Sequence, residues 1–417
     1  MRSLIYKNKI WTFYKWMLFL VMLDSLRVWF FWLVPIPFLT SMLFIVISAF
    51  VVAVSPQLFF FNRKTVFLFF FFYLMARFFG TRGNMNAYLG MFLTSVSIFI
   101  FLGLKDEYKI DFLSFFTKVF AILMAISLSA WILVMLGVDL PSFTDTYGFS
   151  ERRNEAQYSY QNYYLFLIDF RFRDSIMLPR FNSVFLEPGY LSIILVILLY
   201  LQQFNMKNKY NIIMLVALFF TFSLAGWLLF MFFYIAYLLR NSRFKIRTIF
   251  FIIIGFALFF TFFSIYNDGD NLVNNYIFSR LKYDEETGTI SGYNRTGEDF
   301  EIWYADYFLK SDKILFGLDM KAIFGETVNV GWKVYFVNYG LIGLSFYLWF
   351  LLFGYLKFQN YANFVFLILY ILIFMRGHHV IYFQAFPILY LGGLIVMKRR
   401  NDKISKYEHS HKLNPIQ

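Results

Sequence analysis

The chain of 417 residues has no cysteine, which excludes disulfides, thiolate nucleophiles and cysteine-bound metals. Charge is scarce too. Only 15% of residues are charged against 60% hydrophobic, too few to clothe a soluble domain of this length. Histidine occurs four times, and His409 and His411 lie in the tail. No Gly-rich phosphate cradle and no soluble nucleotide-binding segment is present, so ATP is not expected as a direct energy source. No cofactor and no metal site are expected. Asp268-Gly-Asp270 matches a bare metal-binding pair, but such a string in a polar loop reads as a turn. A cleavable signal pattern, a coiled coil and an internal repeat are all missing.

What is there is a series of long apolar runs, the pattern of a polytopic helical membrane protein. Hydrocarbon offers the backbone no hydrogen bonds, so spans must be helices or a closed barrel, and continuous runs exclude the barrel. Spans are expected near 16–34, 37–55, 65–79, 86–104, 113–137 and 189–204, then 248–265, 332–356, 362–375 and 380–397. The stretch 210–239 is too long for one ordinary crossing and short for two. Its centre, TFSLAGW, predicts two short helices meeting at a tight turn, with a single tilted helix as the alternative. In the first span Asp24 and Arg27 stand three apart and can pair.

The fold class expected is all-α: a single integral membrane domain over 1–417 of about twelve helices. Two large outer loops are expected, at 138–182 and 266–331. Lys and Arg cluster in FNRK, KDEYK, RNSRFKIR and KRRNDK, which places these turns and both termini in the cytoplasm. The same clustering argues against nucleic acid as the partner of a chain with net charge +13. The 61 Phe lie almost entirely within the apolar runs, where lipid rather than bases is their neighbour.

Chemistry concentrates around RFNSVFLEPGY, residues 180–190, where a polar loop meets an apolar run. Pro188 suits a first helical turn, and Glu187 then sits where the helix dipole favours negative charge. Ionisable groups at such depth are costly and are functional candidates. Arg82, Arg180, Arg280, Arg295 and Arg376 are all assigned to the outer face. Guanidinium forks around one cavity would hold a pyrophosphate and stabilise it as a leaving group. The competing reading is that each anchors the interface by snorkelling. Glu187 and His378, the latter beside His379, are alternative bases. GYNRTGEDFE predicts a turn followed by a helix, with Thr296 as N-cap.

The string Arg180-x2-Ser183-x3-Glu187-Pro188-Gly189 resembles the Wzy-type O-antigen and capsule polysaccharide polymerases. So do the acidic outer loop with Arg295, the FGLDM segment and NYGLIGLSFY entering a span. TFSLAGW resembles the turn between two short helices in the wider ligase and polymerase superfamily. The resemblance implies a GT-C-like helical bundle in a bacterial inner membrane. It implies an enzyme that joins undecaprenyl-pyrophosphate-linked repeat units at the outer face, with Tyr-rich loops against the sugars and a chain-length regulator as a protein partner. It implies catalysis by Glu187 or His378, and substrate held by Arg82, Arg180, Arg280, Arg295, Arg376 and His379. A ligase shares the chemistry, but its His near the end of the second loop has no counterpart in GETVNVGWKVYFVNYG. A flippase of the same lipid is the other alternative. It should carry repeats and midplane charge, whereas charge here gathers at the outer edge.

Overall fold

The computed structural model describes residues 2–26, 28–32, 39–60, 63–79, 85–145, 160–169, 178–241, 245–269, 271, 273–278, 281, 283–284, 289–290, 296–324 and 331–413. The protein is mostly helical. In chain order the helices are α1 (Arg2–Ser25), α2 (Trp29–Trp32), α3 (Leu39–Val54), α4 (Arg63–Phe78), α5 (Met85–Gly103), α6 (Asp106–Met135), α7 (Pro188–Leu201), α8 (Lys209–Phe220), α9 (Leu224–Asn241), α10 (Lys245–Ile265), α11 (Glu298–Asp306), α12 (Met320–Phe324), α13 (Trp332–Lys357), α14 (Tyr361–Arg376) and α15 (Ala385–Leu413). Among the described residues, α6 and α13 are long and apolar enough to cross a membrane by length and composition. Shorter apolar helices of 10–17 residues include α3, α7, α8 and α14.

The chain forms two compact units. The first holds residues 1–26, 34–116 and 298–417; the second holds 27–33 and 117–297. In the first unit, α13 packs along α4, α4 along α5, and α3 between α1 and α5. Asp111 receives hydrogen bonds from Trp11 Nε1 (2.6 Å) and Lys15 Nζ (2.9 Å) and so ties α6 to α1.

The polarity of α3 is inverted relative to a helix in water. Its buried side includes Ser41 and Ser48. Ser48 bonds Tyr14 Oη at 2.8 Å, and Ser41 accepts from Gln384 at 3.0 Å. Its exposed side carries Leu43, Val46 (67% exposed) and Phe50 (63% exposed). Hydroxyls inward and hydrocarbon outward is how helices associate when the solvent is itself apolar.

In the second unit α7 is the centre, buried from Gly189 to Leu201. A helix apolar all round belongs inside its bundle. It packs on α8 and α9. The first long loop contributes a three-stranded antiparallel sheet of β1 (Phe143–Asp145), β2 (Tyr160–Asn162) and β3 (Leu167–Asp169). A short ladder of β4 (Tyr283–Asp284) and β5 (Thr289–Ile290) follows in the second loop.

Three expectations need correction. The span at 16–34 is not one helix: α1 ends at Ser25 and α2 is a separate turn. There the backbone leaves the helix to pair elsewhere. Val28 bridges Phe185, and Trp29 N–H donates to Val184 O at 3.1 Å. The last span starts at Ala385 rather than near 380, because a 3-10 turn, His378–Ile381, comes first. The loops also carry the small sheets, so the described chain is not purely helical. The expected partner of Asp24, Arg27, lies outside the described residues; Asp24 accepts a hydrogen bond from Thr40. Asp268 sits in a left-handed turn at φ 53, and Asp270 lies outside the described residues.

Candidate functional site

The stretch 178–187 is held by backbone and side-chain bonds to several elements of the second unit. Phe181 N–H donates to Phe220 O at 2.9 Å, and Arg180 Nε donates to Thr221 O at 3.0 Å. The guanidinium thus lies at the carbonyl end of α8, where the helix dipole favours a cation. Ser183 donates to Ser127 Oγ at 2.9 Å, and Tyr160 Oη donates to Leu186 O at 2.9 Å. Glu187 takes the N-cap position of α7 in extended geometry, with Pro188 next. Its side chain makes no cap bond to the helix end. Its backbone carbonyl accepts from Tyr190 N–H at 3.2 Å.

TFSLAGW is the turn between α8 and α9, as its sequence suggests. Ser223 caps α9, accepting from Gly226 N–H at 3.3 Å, and receives the hydroxyl of Ser192 at 3.0 Å. Helices α7 and α9 touch at Gly226: a methyl there would lie 2.5 Å from Ser192 Cβ. Residues 180–189 and 221–227, distant in sequence, are therefore joined with Ser192 of α7 into one place. Each contributes a non-glycine residue in the left-handed region, Ser183 at φ 51 and Phe222 at φ 42. Such conformations cost about 1–3 kcal/mol each and gather at functional sites. Asn182 is 3% exposed, and its Oδ1 has no hydrogen-bond partner among the described residues. A buried acceptor of this kind calls for a donor from water or ligand.

Beside this place the first loop displays aromatic faces. Tyr164 is 54% exposed with φ 64, and its ring meets Phe143 at 5.3 Å edge-on. Trp29 Nε1 donates to Tyr164 O at 3.0 Å and fixes the loop. Tyr147 and Tyr158 lie outside the described residues.

The first unit contains three more of the expected groups and one that sequence reasoning missed. Arg376 is the last residue of α14, and His378 and His379 open the 3-10 turn that follows. Against that turn lies Arg77, 7% exposed, near the end of α4. Its Nη1 donates to Thr94 Oγ1 at 2.5 Å and Tyr73 Oη at 3.4 Å, and the guanidinium lies over the rings of Tyr73 (5.6 Å) and Tyr382 (5.8 Å). Tyr73 Oη in turn donates to Ile381 O at 2.7 Å. The signal for Arg77 was present: it is the one cation inside TVFLFFFFYLMARFFG.

FGLDM and NYGLIG also meet. Helix α13 breaks at Gly340, with φ 65 and ψ −174. The break admits the backbone of FGLDM: Leu318 N–H donates to Val337 O at 2.6 Å, and Ile342 N–H to Leu315 O at 3.1 Å. Met320 N–H donates to Asn338 Oδ1 at 3.1 Å. Gly317, at φ 77, faces the carbonyls of Val337 and Asn338, and Gly340 faces Leu315 O. Before the break, α11, α12 and the start of α13 share a small core around Phe300, Phe308 and Val337. On its edge Lys333 pairs with Glu301 at 2.5 Å and lies 5.3 Å from the Tyr304 ring centre. Partial burial and the Glu301 carboxylate push the Tyr304 hydroxyl above its ordinary pKa, so it stays protonated.

Of the expected site residues, Arg180 and Glu187 stand in the second unit, and Arg376, His378 and His379 in the first. Arg82, Arg280 and Arg295 lie outside the described residues. No family model, no curated protein and no solved structure matches the chain.

Proposed function

We propose that the protein is a polytopic enzyme of a bacterial inner membrane, with about twelve spans and both termini in the cytoplasm. On this reading it joins lipid-pyrophosphate-linked oligosaccharide repeat units into a surface polysaccharide at the outer face. The inverted polarity of α3 supports the membrane setting. The observation that carries the enzymatic reading is the meeting of RFNSVFLEPGY with TFSLAGW. Arg180, Glu187, Ser192 and Ser223 are brought to the ends of three short helices, with left-handed backbone on both sides.

On this reading Arg180 binds a phosphate oxygen of the donor, and the N-termini of α7 and α9 add favourable dipoles. A hydroxyl of a second lipid-linked repeat unit attacks the anomeric carbon of the first. The C–O bond to the pyrophosphate breaks, and the lipid pyrophosphate leaves with the electron pair. Glu187 accepts the proton of the attacking hydroxyl. Tyr164 and Phe143 offer faces on which sugar rings stack.

The test is purified protein incubated with a lipid-linked repeat unit, with products resolved by gel. A ladder of lengths is expected. Arg180→Ala and Glu187→Gln should stop it at normal abundance in the membrane. Ladders of unchanged length from Arg180→Ala would overturn the role of the guanidinium.

A further inference from the structure

A charged cavity in the first unit is lined by none of the candidate-site residues named above. It has a volume of about 300 Å³. Three turns from distant parts of the chain enclose it: the start of α4, the α5–α6 turn and the α13–α14 turn. Lys105, Asp106, Lys109 and Lys357 line it, with the Thr65 hydroxyl. Lys109 is 6% exposed, and its ammonium bonds Asp106 at 3.1 Å. Lys357 and Lys398 both approach the ring of Phe358, at 5.9 and 5.8 Å from its centre. The Lys357 ammonium is near enough to repel that of Lys109, and Lys398 near enough to repel Lys357. One carboxylate against three lining ammoniums, with Lys398 beside them, leaves a positive hollow with one cation buried in it. Burying a cation among like charges is costly unless anions gather to them.

The rest of the wall is hydrocarbon: Val66, Phe69, Leu391, Ile395 and the exposed Phe60. Lysine heads beside an apolar wall suit a molecule that is anionic at one end and oily at the other. Two of the three turns carry the basic clusters FNRK and KDEYK, which are assigned to the cytoplasmic side, and the third adds Lys357. We infer that this cavity binds the phosphodiester headgroup of an anionic phospholipid of the inner leaflet, with an acyl chain along the apolar wall. The role is independent of the proposed reaction and would survive its failure.

The experiment uses the delipidated full-length protein in a neutral detergent. Thermal unfolding is followed by tryptophan fluorescence with added phosphatidylglycerol, cardiolipin, phosphatidylethanolamine or inorganic phosphate. The two anionic lipids should raise the midpoint, and phosphatidylethanolamine should not. The double variant Lys105→Gln/Lys357→Gln spares the buried Lys109 and should keep the lipid-free midpoint. Its binding of phosphatidylglycerol should weaken at least ~tenfold. An equal, lysine-dependent shift from inorganic phosphate would leave the anion site standing but show that the acyl chain is dispensable. A phosphatidylglycerol shift undiminished in the double variant, or an equal shift from phosphatidylethanolamine, would overturn the inference.

Discussion

A single methyl group probes the candidate site. At Gly226 it would press on Ser192 Cβ at 2.5 Å, and both atoms sit on helices that cannot easily part. Gly226→Ala should lower stability by about 1–3 kcal/mol through overpacking, read as a lower thermal midpoint in detergent. Gly255→Ala is the contrasting change, because nothing lies within 4 Å of the added carbon in α10. It should be neutral or gain up to about 1 kcal/mol, since alanine outranks glycine in a helix. A comparable loss from both variants would mean that helix softness, and not the Ser192 contact, sets the cost. At this scale Arg180 and Glu187 were legible because each interrupts a pattern: a cation and a carboxylate stand at the edge of an apolar run, with proline to start a helix. Arg77 was not, because the phenylalanines around it made the whole run read as lipid-facing filler. Nothing in spacing alone tells which side of a helix a neighbour will cover.

At the scale of elements, α13 is the informative one. Its two parts are held by the backbone of FGLDM, and glycine is required on both sides of the contact. Gly340 adopts φ 65 and lies against Leu315 O, so a side chain there meets strain and backbone together. Gly340→Ala should cost at least about 1–3 kcal/mol from the conformation alone. Folded protein recovered in a size-exclusion peak should fall sharply. A wild-type yield would show that the helix can heal across the break. Most helix positions were legible, since an apolar run bounded by charged or polar turns has little else to become in a bilayer. The break at Gly340 was not, because glycine is common in membrane helices and its role depends on what approaches it. The strands β1 to β3 were not either. Strands of three residues carry too short an alternation to stand out from a tyrosine-rich loop.

For the whole molecule the test is orientation, and the lack of cysteine makes it clean. Exposed Thr144 in β1 is assigned outside, and exposed Lys207, between α7 and α8, inside. Thr144→Cys should react with an impermeant maleimide on intact spheroplasts, and Lys207→Cys only after lysis. The reverse pattern would turn the candidate site toward the cytosol and remove the proposed chemistry. Charge bias alone carries this orientation, and the labelling decides it; the division into two compact units left no mark in composition.

The shortness of the helices around Ser192 and Ser223 has a consequence of its own. With fourteen and twelve residues, α7 and α8 reach about 21 and 18 Å along their axes, against a hydrocarbon layer about 30 Å thick. If their basic inner ends sit at one surface, their other ends stop well below the opposite one. In that case the bilayer around this unit would thin toward Arg180. A long-chain carrier diffusing in the outer leaflet would find there a depression into which its polar head sinks. The head would reach the guanidinium without the tail ever leaving oil.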